Sequence, residues 1–346
     1  MPETTTITPD ISVVLPTLLR PPYNKAIDRL DGAIQSIINQ NYLGELEILI
    51  IDDQNPEPVS ELLNKAGLRY DVDIRFIRLG RSNGLVQALN NGLLTAKYDL
   101  IARLDDDDKW LPGKIEKQIS MFTNDPELSI VATGMRRVFE NNDPDDEHVR
   151  PDGWSQILHF FCDVGCPFAH GSIVARKDIF CLLGGYPQSA EVRHCEDYAL
   201  WSVWVRFFKP SIIEELLFEY TVSTASVSSL NAEKNRRISG KINGSFIKLG
   251  INDVTPTAIE KIAKILGISV LQAGVMCYRL WHYRATVALP LAVFDPLRLL
   301  LADRNVRLVT AHTAKSRILH LDSLLNGFGS PKSPLEAENT VIVSVV

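Results

Sequence analysis

Residues 11–16, Ile-Ser-Val-Val-Leu-Pro, form a short β-branched apolar run closed by Pro16, the pattern of a buried strand. Leu30, Ala33, Ile34, Ile37 and Ile38 follow at three- and four-residue spacing, which predicts a helix over Arg29–Asn39. A second buried run, Glu47–Ile51, ends in Asp52-Asp53. Pro58–Ala66 reads as a short helix and Asp73–Leu79 as a third strand. Asn83-Gly84 punctuates the chain, and Leu85–Leu94 is helical. Leu100–Leu104 is a fourth strand that runs straight into Asp105-Asp106-Asp107-Asp108. Strands alternating with helices imply a mostly parallel sheet covered on both faces. In such sheets ligands bind beyond the carboxyl ends of the strands. Pro16-Thr17, Asp52-Asp53 and Asp105–Asp108 all fall there.

Beyond the fourth strand the pattern is less regular. Glu140–Glu147 is acidic and contains proline, so it reads as a loop or insertion. Gly171–Arg176 suggests a strand, Lys177–Leu183 a helix, Gly184-Gly185-Tyr186 a turn, and Asp197–Phe207 a helix. A new regime begins near Ser226, and residues 231–325 are almost entirely of helical period, broken at Thr255-Pro256 and Leu289-Pro290.

Composition changes this picture little but excludes much. At 346 residues the chain has room for about two domains. Its 45% apolar and 23% charged content is that of a globular protein. A net charge of −6 gives no electrostatic footprint for nucleic acid. The N-terminal Met-Pro-Glu-Thr-Thr-Thr has no basic or apolar region of a secretory signal. No uncharged stretch reaches the ~18 residues of a membrane-spanning helix. Five cysteines, an odd number, suit reduced thiols in a cytoplasm.

Four consecutive aspartates after a buried strand repel one another, and burial raises their pKa values. A hard divalent cation, Mn²⁺ or Mg²⁺, is the neutraliser such oxygens select. The alternative is a solvated acidic turn capping the next helix. An EF-hand is excluded by spacing.

Taken in order, several segments resemble a family 2 glycosyltransferase with the GT-A fold. They are Ile11–Thr17, Ala33–Gln40, Glu47–Asp53, Asn83-Gly84 with Ala88–Gly92, Arg103–Asp108 with Pro112, and Lys114–Gln118. His170, Arg176, Gly184-Gly185-Tyr186 and Glu196–Trp201 continue the series. The resemblance implies a GT-A domain over 1–228, with a nucleotide-binding half (10–110) and an acceptor or catalytic half (111–228). A helical C-terminal region would occupy 229–346. The donor pocket it implies is Pro16, Thr17, Arg20, Asp53, Asn83, Arg103, Asp105 and Asp106. Pro16 and Thr17 would line base and ribose, and Asp53 would accept from the nucleobase imide. The family usually places a Gly-Ser-like pair after the acidic pair; this chain has Gln54-Asn55. The metal motif maps onto Asp105-Asp106-Asp107, with Asp107 the direct ligand and Asp105 beside it. Asp108 is expected to cap the following helix. Asp197, supported by Glu196, holds the place of the general base of an inverting transfer.

The resemblance therefore implies a nucleotide-sugar donor, a UDP-sugar foremost, and a glycan or lipid-linked acceptor in surface glycan synthesis. Two rivals remain at this level: a nucleotidyltransferase making the nucleotide sugar, and a non-catalytic GT-A module. Several lesser candidates have an ordinary reading beside a functional one. His170 is a structural histidine or a donor contact. Trp110 and Trp154 are core or sugar-stacking residues, and Arg176 and Arg193 are ion-paired or phosphate-binding. Cys162 and Cys166 with His159 and His170 lack zinc spacing. Tyr278–Ala302 mixes arginine with aromatic and leucine residues. That composition suits the inner face of a membrane or, the favoured expectation, a helix-packing or homodimer face.

Overall fold

The computed structural model describes residues 8–223 apart from 41, 81–83 and 142, together with 230–246 and a few positions between 260 and 274. The first half alternates as the pattern requires. Strand β1 (Ile11–Thr17) leads to helix α1 (Tyr23–Ile38), β2 (Leu46–Asp52) to α2 (Val59–Lys65), and β3 (Ile74–Arg78) to α3 (Leu85–Thr95). Strand β4 (Leu100–Arg103) follows. The second half contains β5 (Lys109–Trp110), α4 (Lys114–Asn124), β6 (Leu128–Phe139), β7 (Asp146–His148) and α5 (Trp154–Asp163). A 3₁₀ turn at His170–Ser172, β8 (Val174–Arg176), α6 (Lys177–Leu183), α7 (Glu196–Phe207), β9 (Lys209–Val222) and α8 (Ala232–Phe246) complete it.

All strands join one sheet in the order β3-β2-β1-β4-β8-β6-β9-β5, with β7 added to β6. From β3 to β4 the neighbours are parallel, and Thr17 stands opposite Asp52. Strand β8 then runs antiparallel to β4, while β6 and β9 are parallel to each other. The parallel character is thus confined to the strands legible in the sequence and to the β6–β9 pair. Trp110 of β5 pairs with Phe218 of β9. The aspartate loop is therefore held at both ends, by β4 on one side and β5 on the other.

The two faces of the sheet bury separate apolar layers. One lies under α1, α2 and α4 and includes Leu30, Ile34, Ile50 and Ile115. The other lies under α3 and α5–α7 and includes Leu89, Phe161, Phe180, Trp201 and Trp204. Helix α3 approaches the sheet so closely at Gly92 that a Cβ there would lie 2.4 Å from Val14 Cγ1.

Three local expectations are revised. Helix α1 begins at Tyr23, six residues before the expected start: Ala26 and Ile27 extend the apolar stripe N-terminally and pack, partly buried, against the core. The acidic stretch 140–147 is not all loop: Asp146 and Glu147 open β7, which pairs with Arg137 and Arg136 of β6. Residues 171–173 are 3₁₀ turn and connection, and the strand starts only at Val174. Helix α8 opens the expected C-terminal helical region; the aromatic and arginine-rich stretch at 278–302 lies outside the described residues. Among the described residues no helix is long and apolar enough to cross a membrane.

Candidate active site

The carboxyl ends of β1 and β2 are fastened together by buried polar groups. Asp52 Oδ1 accepts from the Asn55 backbone N–H and from Asn55 Nδ2, each at 2.8 Å. Its Oδ2 accepts from Val59 N and from Arg78 Nη1, both at 3.2 Å. Asn55 passes the connection on: Oδ1 accepts from Leu19 N at 2.6 Å and Nδ2 donates to the Thr17 carbonyl at 3.1 Å. All of this needs a sharp reversal after Asp53, and Gln54 supplies it at a φ of +62°, in the left-handed region that favours glycine. The Gly-Ser-like pair expected there is thus replaced by a strained Gln54, anchored to the Leu79 carbonyl, and by an Asn55 that does the tying.

Asp53 is buried beside this knot. Its N–H donates to the Thr17 carbonyl, and its Oδ2 accepts from Gly84 N at 3.1 Å, at the entrance to α3. Pro16 and Thr17 lie at the buried end of β1, and Arg20 is exposed on the loop after it. Asn83 lies outside the described residues.

The four aspartates do not act alike. Asp106 turns back to accept from the Thr17 hydroxyl. Oxygens of Asp105, Asp107 and Asp108 lie within 4.8 Å of one another, an arrangement that suits one metal ion. The expected cap is not made: α4 begins after Gly113 with no side-chain cap. Asp108 Oδ1 instead accepts from Thr221 N of β9 at 2.8 Å. Its Oδ2 is buried without a hydrogen-bond partner, and a buried carboxylate oxygen left so is costly. Burial first, and the neighbouring carboxylates second, push Asp107 up to about 7. Asp108 is pushed upward for the same reasons, and burial raises Asp106 to about 6. A hard divalent cation fits this donor set. Asp105 and Asp107, the two expected ligands, would hold it, and Asp108, expected only as a helix cap, stands with them.

Arg103, only 3% exposed, joins this cluster to the rest of the site. It is ion-paired with Asp105 and lies within electrostatic reach of Asp108 and Asp197. Its Nε has no partner. Glu196 and Asp197 form the first turn of α7. The two separate sharply. Glu196 is buried, with Oε2 unpartnered, and burial followed by the Asp197 charge pushes it up to about 7. Asp197 is more open, with 28% of its side chain exposed. Burial raises it, against the lowering effect of the Tyr198 backbone N–H and of Arg103. His170 Nδ1 stands 3.8 Å from Asp197 Oδ2, and His170 Nε2 is 2.8 Å from the Tyr186 hydroxyl. A Cβ at Gly171 would meet the Phe218 ring at 2.5 Å and Asp108 Oδ2 at 3.5 Å, so only glycine lets this turn sit against the aspartate loop.

The remaining candidates divide cleanly. Trp110 is buried, with Nε1 donating to the Gly171 carbonyl at 2.9 Å and the Lys114 ammonium 4.2 Å over its ring. Trp154 donates to the Val205 carbonyl. Arg176 donates to the carbonyls of Leu128 and Pro126. Each of the three thus anchors one segment of the chain to another. Cys166 donates its thiol to the Phe168 carbonyl, and Arg193 is exposed. Sequence reasoning named Tyr186 only as part of a turn and Asp108 only as a helix cap; no local pattern shows that they reach His170 and the aspartate cluster.

A sheet that carries an aspartate loop off its central parallel strand, faced by a carboxylate at a helix start, is the GT-A architecture. The profile of glycosyl transferase family 2 matches residues 12–182, just under half of the chain. It is 30% identical over 180 residues to the putative glycosyltransferase EpsE of Bacillus subtilis, covering 52% of this chain and 62% of that one. The aligned stretch is thus under two thirds of EpsE. It is 26% identical over 238 residues to the Escherichia coli UDP-Glc:alpha-D-GlcNAc-diphosphoundecaprenol beta-1,3-glucosyltransferase WfgD, covering 68% and 87%. Among solved structures, S. aureus TarS 1–349 in complex with UDP-GlcNAc shares the fold. The TM-score is 0.51 at 14% identity, over 80% of this chain and 87% of that one.

Proposed function

We propose that the chain transfers a sugar from a nucleotide donor, a UDP-sugar, to a hydroxyl on a glycan or lipid-linked acceptor, with inversion at the anomeric carbon. The observation that carries this reading is that two kinds of carboxylate lie within electrostatic reach of the one buried Arg103. Three oxygens, of Asp105, Asp107 and Asp108, stand close enough together to hold a cation, and Asp197 keeps 28% of its side chain exposed. Asp197 is the proposed general base. It takes the proton as the acceptor oxygen bonds to the anomeric carbon, while the bond from that carbon to the diphosphate breaks and the nucleoside diphosphate leaves. One base suffices, because the leaving diphosphate needs no acid of the kind a glycosidase supplies. Mn²⁺ or Mg²⁺, when bound, neutralises charge building on the diphosphate. Asp53 offers a carboxylate to the imide N–H of a uracil. WfgD, named for a UDP-glucose donor, supports the choice of base.

A thermal-shift screen of nucleotide sugars with and without Mn²⁺ tests the donor. One UDP-sugar is expected to raise the melting temperature only with the metal. Asp197→Asn is expected to keep that shift and to lose turnover by about 100-fold or more. Unaltered turnover removes Asp197 from the base role, and a flat response to every donor overturns the transferase reading.

A further inference from the structure

Tyr186, His170 and Asp197 come from three separate segments and stand in line: a turn after α6, the 3₁₀ turn before β8, and the start of α7. Tyr186 is 1% exposed, and its hydroxyl lies 2.8 Å from His170 Nε2. Burial raises the Tyr186 pKa, so the phenol keeps its proton and must place it on an acceptor. The lone pair of Nε2 is that acceptor. Burial, aided by the Arg103 charge, holds the imidazole well below its usual pKa, so the ring is neutral and has one N–H to give. With Nε2 accepting, the proton is on Nδ1, which faces the Asp197 carboxylate. The opposite tautomer would leave the tyrosine proton unplaced and set a nitrogen lone pair against carboxylate lone pairs.

We propose that His170 is a positioning residue for Asp197: its Nδ1–H, fixed in that tautomer by Tyr186, catches one carboxylate oxygen and leaves the other facing the acceptor hydroxyl. This rests on Asp197 as the base. The 3.8 Å gap is longer than a hydrogen bond, and it closes by a small rotation of the half-open Asp197 side chain. The neutral ring does not take the proton onward; it aims the group that takes it. Gly171 permits the placement, since any side chain there would drive the turn off Phe218.

Two readouts test this on the full chain. In imidazole ¹H–¹⁵N spectra, with the signal assigned by its loss in His170→Gln, His170 is expected as the neutral Nδ1–H tautomer. Tyr186→Phe is expected to shift it toward Nε2–H. A dominant Nε2–H form in the unmodified chain overturns the proposal, whether or not any sugar is turned over. In kinetics, release of UDP is followed with Mn²⁺ and the UDP-sugar selected by thermal shift. His170→Asn sets an amide N–H where Nδ1 stands, whereas His170→Gln sets one where Nε2 stands. His170→Gln is expected to lower kcat by about 10- to 100-fold with donor KM changed less than about twofold, and His170→Asn to recover most of that loss. Equal losses in both variants, at unchanged melting temperature, assign His170 to packing alone. Failure of the base reading shows separately, as an active Asp197→Asn.

Discussion

Glu196 and Asp197 are adjacent carboxylates, and the fold gives them different surroundings. Glu196 is pushed from 4.5 up to about 7, by burial first and by the Asp197 charge second. The folded chain therefore holds this proton more tightly than the unfolded chain. The stability it contributes is complete below pH 4.5 and is lost as pH rises to about 7. Glu196→Gln removes the titration. Urea unfolding of both proteins without metal, at pH 4.5 and pH 7.5, is expected to show the wild type losing stability relative to the variant as pH rises. The upper slope is about 1.4 kcal/mol per pH unit. A difference that does not change with pH would show that Glu196 is solvated. Asp52 and Asp53 are both buried but differ in partners: four donors fix Asp52 inside the chain, whereas Asp53 accepts from Gly84 N at the start of α3.

At the scale of elements, the site depends on how closely helices lie on the sheet. Helix α3 presents Gly92 to Val14 and Ile51, where a Cβ would stand 2.4 Å from Val14 Cγ1. Neither β1 nor β2 can yield, since both are central in the parallel half. Gly92→Ala is expected to cost about 1–3 kcal/mol in chemical denaturation, and adding Val14→Ala to recover part of it. Full additivity of the two losses would show that the contact is not the cause. The same closeness sets Gly84 at the start of α3 against Asp53, so a shift of this helix reaches the crevice.

At the scale of the molecule, the aspartate loop is pinned between β4 and β5 and tied to β9 through Thr221. The second half of the sheet thereby completes a cluster that the first half begins. Asp107, pushed up to about 7, must lose its proton before it can bind a cation. The rise in melting temperature caused by Mn²⁺ is expected to be small at pH 5.5, larger at pH 8, and absent in Asp107→Asn. A shift that is the same at both pH values would place the ion elsewhere.

The alternation of β1–β4 with α1–α3 was legible because the strands are short and rich in apolar, largely β-branched residues and each helix carries an apolar stripe. Those two periods depend only on local geometry. They also fixed which carboxylates stand at strand ends. Strands β6 and β9 were not legible. Strand β6 bends at Gly134, whose Cβ position lies 2.8 Å from the Glu215 carbonyl oxygen, and β9 begins near Pro210 and carries Glu214-Glu215 through the same irregularity. The sequence by itself determined the layers, the crevice and the acidic inventory, since those follow from patterns along the chain. Tertiary structure alone decided that Asp108 lies with Asp105 and Asp107 and does not cap α4, that Gln54 turns where glycine is usual, and that His170 faces Asp197. Each depends on distances between segments far apart in sequence, and no local periodicity carries those distances.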